Sequence, residues 1–190
     1  MRGHRPRGWF DIALGWPEAQ CLAFIARIAV TRSVSQWHTS KFLIADVDGK
    51  AAAALCAVPD AGSGPAAWRA LEEVANEAGL GSSDIEAIRQ RGTYIRTCWV
   101  QGGADDWMIE HVMADPAFRG RGLVQALIGH ALEKGRAAGF SRASIPFLIG
   151  NDPAERCYAK AGFSFAEEKR DASFEALTGA PGFRRFARTI

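Results

Sequence analysis

Two short segments of this chain hold residue types at spacings that suit phosphate binding and proton donation. The first runs Val112-Met113-Ala114-Asp115-Pro116-Ala117-Phe118-Arg119-Gly120-Arg121-Gly122-Leu123. The pattern predicts a strand from Trp107 to Ala114, a basic glycine turn, and a helix from about Gly122 to Ala138. The glycines leave room and unusual backbone angles for the N–H groups of Gly120 to Val124 to converge on one anion. A helix start adds unpaired N–H groups and a favourable dipole. Arg119 and Arg121 add charge that a neutral ligand would not need, and a pyrophosphate fits this donor set best. Alone, an Arg-Gly-Arg-Gly run also occurs in plain surface turns.

The second segment is Asn151-Asp152-Pro153-Ala154-Glu155-Arg156-Cys157-Tyr158-Ala159-Lys160-Ala161-Gly162-Phe163. Asn151 and Asp152 both suit an N-cap, Pro153 suits the first helical position and Gly162 the end, so a helix runs from Pro153 to Ala161. Ala154 and Tyr158 then lie one turn apart on one face. Tyr158 reads either as a proton donor or as a half-buried aromatic whose hydroxyl satisfies a carbonyl.

With the spacing inside both segments intact, the chain resembles the GCN5-related N-acetyltransferase (GNAT) superfamily. Its signature is V-x-[VA]-x-P-x-x-[QR]-x-x-G-x-[GA] followed by N-x-x-A-x-x-x-Y-x-x-x-G-F. The resemblance covers roughly the C-terminal half. It implies an α/β fold with a mixed, mostly antiparallel sheet, a central splayed parallel strand pair and flanking helices. It also implies an acetyl-CoA-dependent N-acetyltransferase that passes an acetyl group to a primary amine by direct attack in a ternary complex. Acetyl-CoA is then the acyl donor co-substrate, and no metal is needed. By the same resemblance, the backbone of Val112, Met113 and Ala114 pairs with the pantetheine arm as an added strand would. Arg119, Gly120, Arg121, Gly122, Leu123, Val124 and Gln125 hold the pyrophosphate. Asn151 hydrogen-bonds the pantetheine, and Tyr158 protonates the departing thiolate. Val124 departs from the signature, which has Gly or Ala there, and its larger side chain would change how closely the cofactor approaches.

Acyl transfer to an amine needs the two reactants held together, a neutral amine and a proton for the leaving thiolate. A phenol titrates near about 10 and a thiol near about 8.5, so donation from Tyr158 is uphill unless the site perturbs one of them, and a hydrogen bond suffices. Glu110, on the strand leading into the turn, is the candidate base; related enzymes carry a strand glutamate at or near this place. It shares the parity of Val112 and Ala114 if the strand alternates regularly, which a bulge would spoil. The alternative for Glu110 is an ion pair with a nearby arginine. His111 falls on the opposite face as a packed, hydrogen-bonded histidine, unless a bulge reverses the assignment. Cys157 has no placed histidine partner and sits on a different helix face from Tyr158, which argues against a cysteine nucleophile.

The chain has 190 residues, 48% of them hydrophobic, enough for one sizeable core, so residues 1–190 read as a single domain. A net charge of +2 argues against a broad nucleic-acid or membrane surface. Cys21, Cys56, Cys98 and Cys157 are scattered without metal-ligand spacing and read as reduced thiols. The arginine-rich start and the short apolar run Trp9 to Leu14 fit neither a signal peptide nor a membrane span. The expectation is a soluble cytoplasmic protein with a small-molecule or peptide amine acceptor, no nucleic-acid or membrane partner, and a homodimer left open. A non-catalytic acyl-CoA-binding or protein-interaction module with the same fold is the alternative.

Around these segments the pattern predicts a helix from Pro17 to Ala29, then a short helix or loop from Val30 to Ser40. A β-hairpin over Phe42 to Val58 turns at Asp48-Gly49. A linker over Asp60 to Gly64 leads to helices at Ala66 to Ala78 and Ser83 to Arg91. Residues 59–94 stand where the family commonly has a short turn between its third and fourth strands, and read as a helical insertion. Residues 8–14 supply a poor first strand, or that strand is missing. Ala143 to Ile149 reads as a strand parallel to the one at Trp107, with Pro146 unexpected in a central strand. The tail adds a last antiparallel pair, Phe163 to Lys169 and Phe183 to Ile190, around a loop over Ala172 to Gly182. Trp37, His38, Trp99, Trp107, Phe174 and Phe183 flank the acceptor entrance by analogy, and most read as core aromatics. Arg156 and Lys160 reach either the cofactor's phosphate or solvent.

Overall fold

A computed structural model describes residues 6–61 and 63–190; residues 1–5 of the arginine-rich start and Gly62 of the expected linker lie outside it. The elements are α1 (Trp9–Leu14), α2 (Glu18–Ile28), β1 (Phe42–Val47), β2 (Lys50–Pro59), α3 (Ser63–Glu77) and α4 (Ser82–Gly92). They continue as β3 (Asp106–Ala114), α5 (Leu123–Ala137), β4 (Arg142–Leu148), α6 (Asp152–Lys160), β5 (Ser164–Arg170), α7 (Ala172–Thr178) and β6 (Gly182–Thr189). The strands form one sheet in the order β1-β2-β3-β4-β6-β5. Every neighbouring pair is antiparallel except β3 with β4.

The hairpin between β1 and β2 turns where expected. Asp48 and Gly49 take consecutive left-handed angles, φ 52° and 76°, which match the twist of the flanking strands. The parallel pair is short. β3 and β4 pair only at Asp106 with Arg142, Trp107 with Ala143 and Met108 with Ser144, and beyond that point the two strands part. Pro146 lies past the last parallel pair, opposite Arg185 of β6, so its missing N–H removes nothing from the parallel ladder.

One face of the sheet packs on α5 and α6. Trp107 and Ile109 of β3, Leu127 and Ile128 of α5, Ile145 and Phe147 of β4, and Tyr158 share this core. Gly135 lets α5 approach closely, since a Cβ there would stand 2.8 Å from the Trp107 ring. A second core forms where α1 and α2 meet α3 and α4, around Leu14, Phe24, Ile28, Leu71, Val74 and Ile88. Helices α3 and α4 therefore complete a small bundle with the N-terminal ones. Arg91 of α4 donates to the last carbonyls of α1, Ala13 O at 2.8 Å and Leu14 O at 3.1 Å, which the helix itself leaves unpaired.

One open question of the sequence is decided, in favour of a missing first strand, and one reading is corrected. Residues 8–14 are not a strand: Gly8 N–H donates to Asp11 Oδ2 at 2.8 Å, Gly15 closes the helix at φ 67°, and Ile12, Ala13 and Leu14 are all buried. The expected loop over 172–182 contains α7, capped by Asp171, whose Oδ1 accepts from Phe174 N–H at 2.8 Å, and ended by Gly179 at φ 82°. Val30 to Ser40 is mainly turn, closing in a 3-10 segment over Thr39–Lys41. α3 begins at Ser63, inside the expected linker, with Pro65 in its first turn.

Candidate active site

After β3, Asp115 Oδ1 accepts from Ala117 N–H at 2.8 Å and caps a 3-10 turn over Pro116–Phe118, which fixes how the chain leaves the sheet. Gly120 and Gly122 follow at φ 77° and 74°, and a Cβ at either would meet nothing within 4 Å. This is open space beside a turn that glycine's backbone forms without strain. Ala126 N–H donates to Gly122 O at 3.0 Å, so the N–H groups of Leu123, Val124 and Gln125 at the start of α5 find no carbonyl within the helix. Arg119 and Arg121 flank them in solvent, Arg121 over the Phe118 ring at 5.1 Å. Val124 packs against the main core, turned toward the sheet. Free N–H groups, open space and two arginines fit a pyrophosphate.

At α6, Asn151 Oδ1 accepts from Ala154 N–H at 3.3 Å, which leaves the amide NH₂ as the donor for a ligand. Tyr158 is buried, its ring edge-on to Phe147 at 5.4 Å, and burial pushes its phenol above the ordinary 10. Arg184 of β6 ties this helix down, donating to both carboxylate oxygens of Glu155 at 2.8 Å and to Glu168 of β5 at 2.7 Å.

β3 carries a bulge where the sequence had left the question open. Ala54 faces Met113 and Cys56 faces Glu110, so Leu55 alone opposes both His111 and Val112. His111 takes the extra position at φ 53°. The bulge resets the alternation. Val112 and Ala114 join Trp107 and Ile109 on the α5 face, whereas Glu110 falls with Cys56 and Met108 on the other. Glu110 therefore does not share the parity of Val112 and Ala114. Nor does His111 lie opposite Glu110: its Nε2 is 3.6 Å from Glu110 Oε1, and its ring stacks on Phe42 at 6.2 Å, beside that same cluster.

Glu110 is 9% exposed, and its Oε1 has no hydrogen-bond partner. Burial raises its carboxyl above the ordinary 4.5, with Asp60 adding to the push and His111 opposing it. Among the described residues the titratable side chain in contact with it is His111, and no arginine pairs with it. The structure thus sets Tyr158 with Val112 and Ala114 on the α5 face, and Glu110 with His111 on the other. The parting of β3 and β4 opens between these faces.

A buried charge cluster on the Glu110 face went unnoticed in the sequence. Asp106, 1% exposed, accepts from Arg142 Nε and lies 3.5 Å from Arg185 Nη1, and Arg185 Nη2 reaches Glu167 at 3.3 Å. Asp60 adjoins it, its carboxyl raised by burial. A Cβ at Gly102 would come within 2.6 Å of Asp60 Oδ2, so the segment before β3 lies tightly over the cluster. The sequence signals were Asp105-Asp106 at a strand start and Arg184-Arg185 near the end, with nothing to pair them.

Of the aromatics, Trp107 lies in the main core and Trp37 packs on the second. Phe174 and Phe183 surround Cys98, and Trp99 meets Phe183 edge-on at 5.4 Å. His38 caps the 3-10 segment. Arg156 and Lys160 are exposed. All four cysteines are free thiols. Among the described residues no group of three or more His, Cys, Asp or Glu side chains could hold a metal ion, and no helix is long and apolar enough to cross a membrane.

A family model described as the acetyltransferase (GNAT) family matches residues 13–163. No curated protein matches the chain. Among solved structures, an N-acetyltransferase from Staphylococcus aureus Mu50 superposes with a TM-score of 0.67 at 21% identity, covering 95% of this chain and 88% of its own. A structure described only as an acetyltransferase gives 0.65 at 17% identity, with 94% and 85% covered. A GNAT-family acetyltransferase from Streptococcus pneumoniae gives 0.50 at 14% identity, with 98% and 97% covered. At such identities the likeness concerns the fold.

Proposed function

The chain belongs to the acetyltransferase (GNAT) family, and on that premise we propose that it uses acetyl-CoA to acetylate a primary amine by direct attack in a ternary complex. What supports this reading is the parting of β3 and β4 between an anion cradle, a buried phenol and a buried carboxyl whose Oε1 accepts no hydrogen bond. Residues 1–190 work as one unit in this reading, with 59–94 as an insertion that builds the acceptor-side bundle.

In this proposal the N–H groups of Gly120 to Gln125, with Arg119 and Arg121, bind the pyrophosphate. Backbone groups of Val112 to Ala114 and the Asn151 amide align the pantetheine arm. Acetyl-CoA supplies a thioester carbonyl for the amine to attack. The Glu110 carboxylate takes a proton from the incoming ammonium, a transfer its raised pKa favours because a stronger base holds the proton better. Tyr158, on the other side of the sheet, gives its hydroxyl proton toward the leaving sulfur. Its own raised pKa works against full transfer, so the contribution there is a hydrogen bond strengthening as charge develops. Holding both reactants in line supplies the larger share of the rate.

The test is thiol release from acetyl-CoA by the purified chain against a panel of amino acids, polyamines, aminoglycosides and peptide N-termini, with mass detection of the acetylated amine. Amine-dependent release supports the proposal. Binding of acetyl-CoA without release by any amine would favour the non-catalytic module.

A further inference from the structure

Acetylation of an ammonium by a thioester yields amide, free thiol and one proton. At each turnover one N–H bond of the ammonium breaks, the electron pair stays on nitrogen and that proton passes to Glu110; a second N–H bond breaks in the tetrahedral adduct as the C–S bond breaks, and that proton ends on the sulfur. That proton must then reach solvent, yet Glu110 is 9% exposed.

Among the described residues, the groups that face Glu110 favour one route. Cys56, its cross-strand partner, is fully buried, donates to Gln36 O at 3.2 Å, and remains a thiol with its pKa pushed up to about 12 by burial first and by Glu110 second. Lys41 and Lys134 oppose that push, and neither pairs with Glu110. Asp60 is 4% exposed and lies under the Gly102 segment. Among the described residues His111 is the titratable side chain that contacts Glu110 and also reaches solvent widely, with Nε2 at 3.6 Å and 39% of its side chain exposed against 10% for Glu110.

Consecutive strand residues point to opposite faces, so this contact exists only because the bulge holds His111 at φ 53°. A non-glycine residue in that conformation is uncommon and strained, and the stacked Phe42 ring helps hold it. Resting on the function proposed above, we propose that His111 is a proton-relay residue that empties Glu110 after each turnover. Side-chain rotation closes the 3.6 Å gap to hydrogen-bond distance, the O–H bond on the Glu110 carboxyl breaks as an N–H bond forms at Nε2, and the exposed imidazolium gives a proton to water or buffer.

Two variants test this with one accepted amine. His111→Asn tolerates the left-handed backbone and His111→Gly opens space beside Glu110. Both should keep acetyl-CoA affinity and the amine KM while kcat falls by about 10²-fold in dilute, non-imidazole buffer, the low end of what a positioned proton carrier contributes. Added imidazole should restore kcat in both, more fully in His111→Gly, and should leave Glu110→Gln unrescued. A kcat within about twofold of native in dilute buffer, or a loss that imidazole does not relieve with cofactor affinity intact, would overturn the relay. If Glu110→Gln itself turns over like native, the base assignment fails instead.

Discussion

His111 Nε2 and Glu110 Oε1 lie 3.6 Å apart although the two residues are neighbours on one strand. A regular strand would aim them at opposite faces. The extra residue opposite Leu55 turns both toward the side of Cys56 and Met108, away from Tyr158. The bulge thereby gives a buried carboxylate a partner that water can reach, while Met113 and Ala114 beyond it pair with Ala54 and Ala53 of β2 and no residue of β3 past Met108 pairs with β4.

Burial holds the Glu110 carboxyl above 4.5, so the folded chain binds this proton more tightly than the unfolded one. The fold therefore loses stability as pH rises from 4.5 through the raised value. Glu110→Gln lacks that loss. Its melting temperature should be close to native in acid below 4.5 and should exceed native by a margin that opens as pH rises. Parallel melting curves across pH would contradict a buried, raised carboxyl.

Gly122 can be changed with and without charge at a left-handed position that Asn and Asp both tolerate better than most residues. Gly122→Asn should still bind acetyl-CoA, whereas Gly122→Asp should lose it, because a carboxylate in the cradle repels the pyrophosphate. Thermal shift gives the readout: ligand at about 100 times its Kd stabilises a fold by about 2.7 kcal/mol. Equal shifts in both variants would place the phosphates elsewhere.

Tyr158→Phe keeps the ring against Phe147 and removes only the hydroxyl. Acetyl-CoA affinity should stay near native while kcat falls by about 10²- to 10⁴-fold. Calorimetry and initial rates on the same preparation separate the two effects, and native turnover would leave Tyr158 a packing residue.

Gly135→Ala forces a methyl group to within 2.8 Å of the Trp107 ring in the main core. Overpacking of this kind costs about 1–3 kcal/mol, measurable as a lowered urea midpoint with an unchanged slope. An unchanged midpoint would mean that α5 shifts off β3 at little cost.

Most of the fold was legible because local chemistry and tertiary packing agree. Asp48-Gly49, the cap at Asn151 and the ending at Gly139 each demand a particular backbone, and the chain adopts it. α7 was legible and overlooked: Asp171 and Gly179 bracket it as N-cap and left-handed stop. α1 was harder, since Trp9 to Leu14 is too short for a helical period to stand out, and burial of Ile12 to Leu14 against α4 decides it.

The candidate site divides in the same way. The cradle is written in glycines and arginines, whose role follows from type and spacing. The faces of β3 are not, because nothing in Glu110-His111-Val112 announces a bulge. Its position depends on the pairing of two strands distant in sequence. The cluster of Asp60, Asp106, Arg142 and Arg185 is similarly tertiary, gathered by the sheet order from three strands and the residue that follows β2.

The most direct test of the account is the pH dependence of kcat/KM for native and Glu110→Gln with one accepted amine. The native profile should rise through the raised pKa of Glu110, and the variant's rise should move to higher pH, where the amine is already neutral. A variant profile that rises at the native position would contradict the claim that Glu110 is the base.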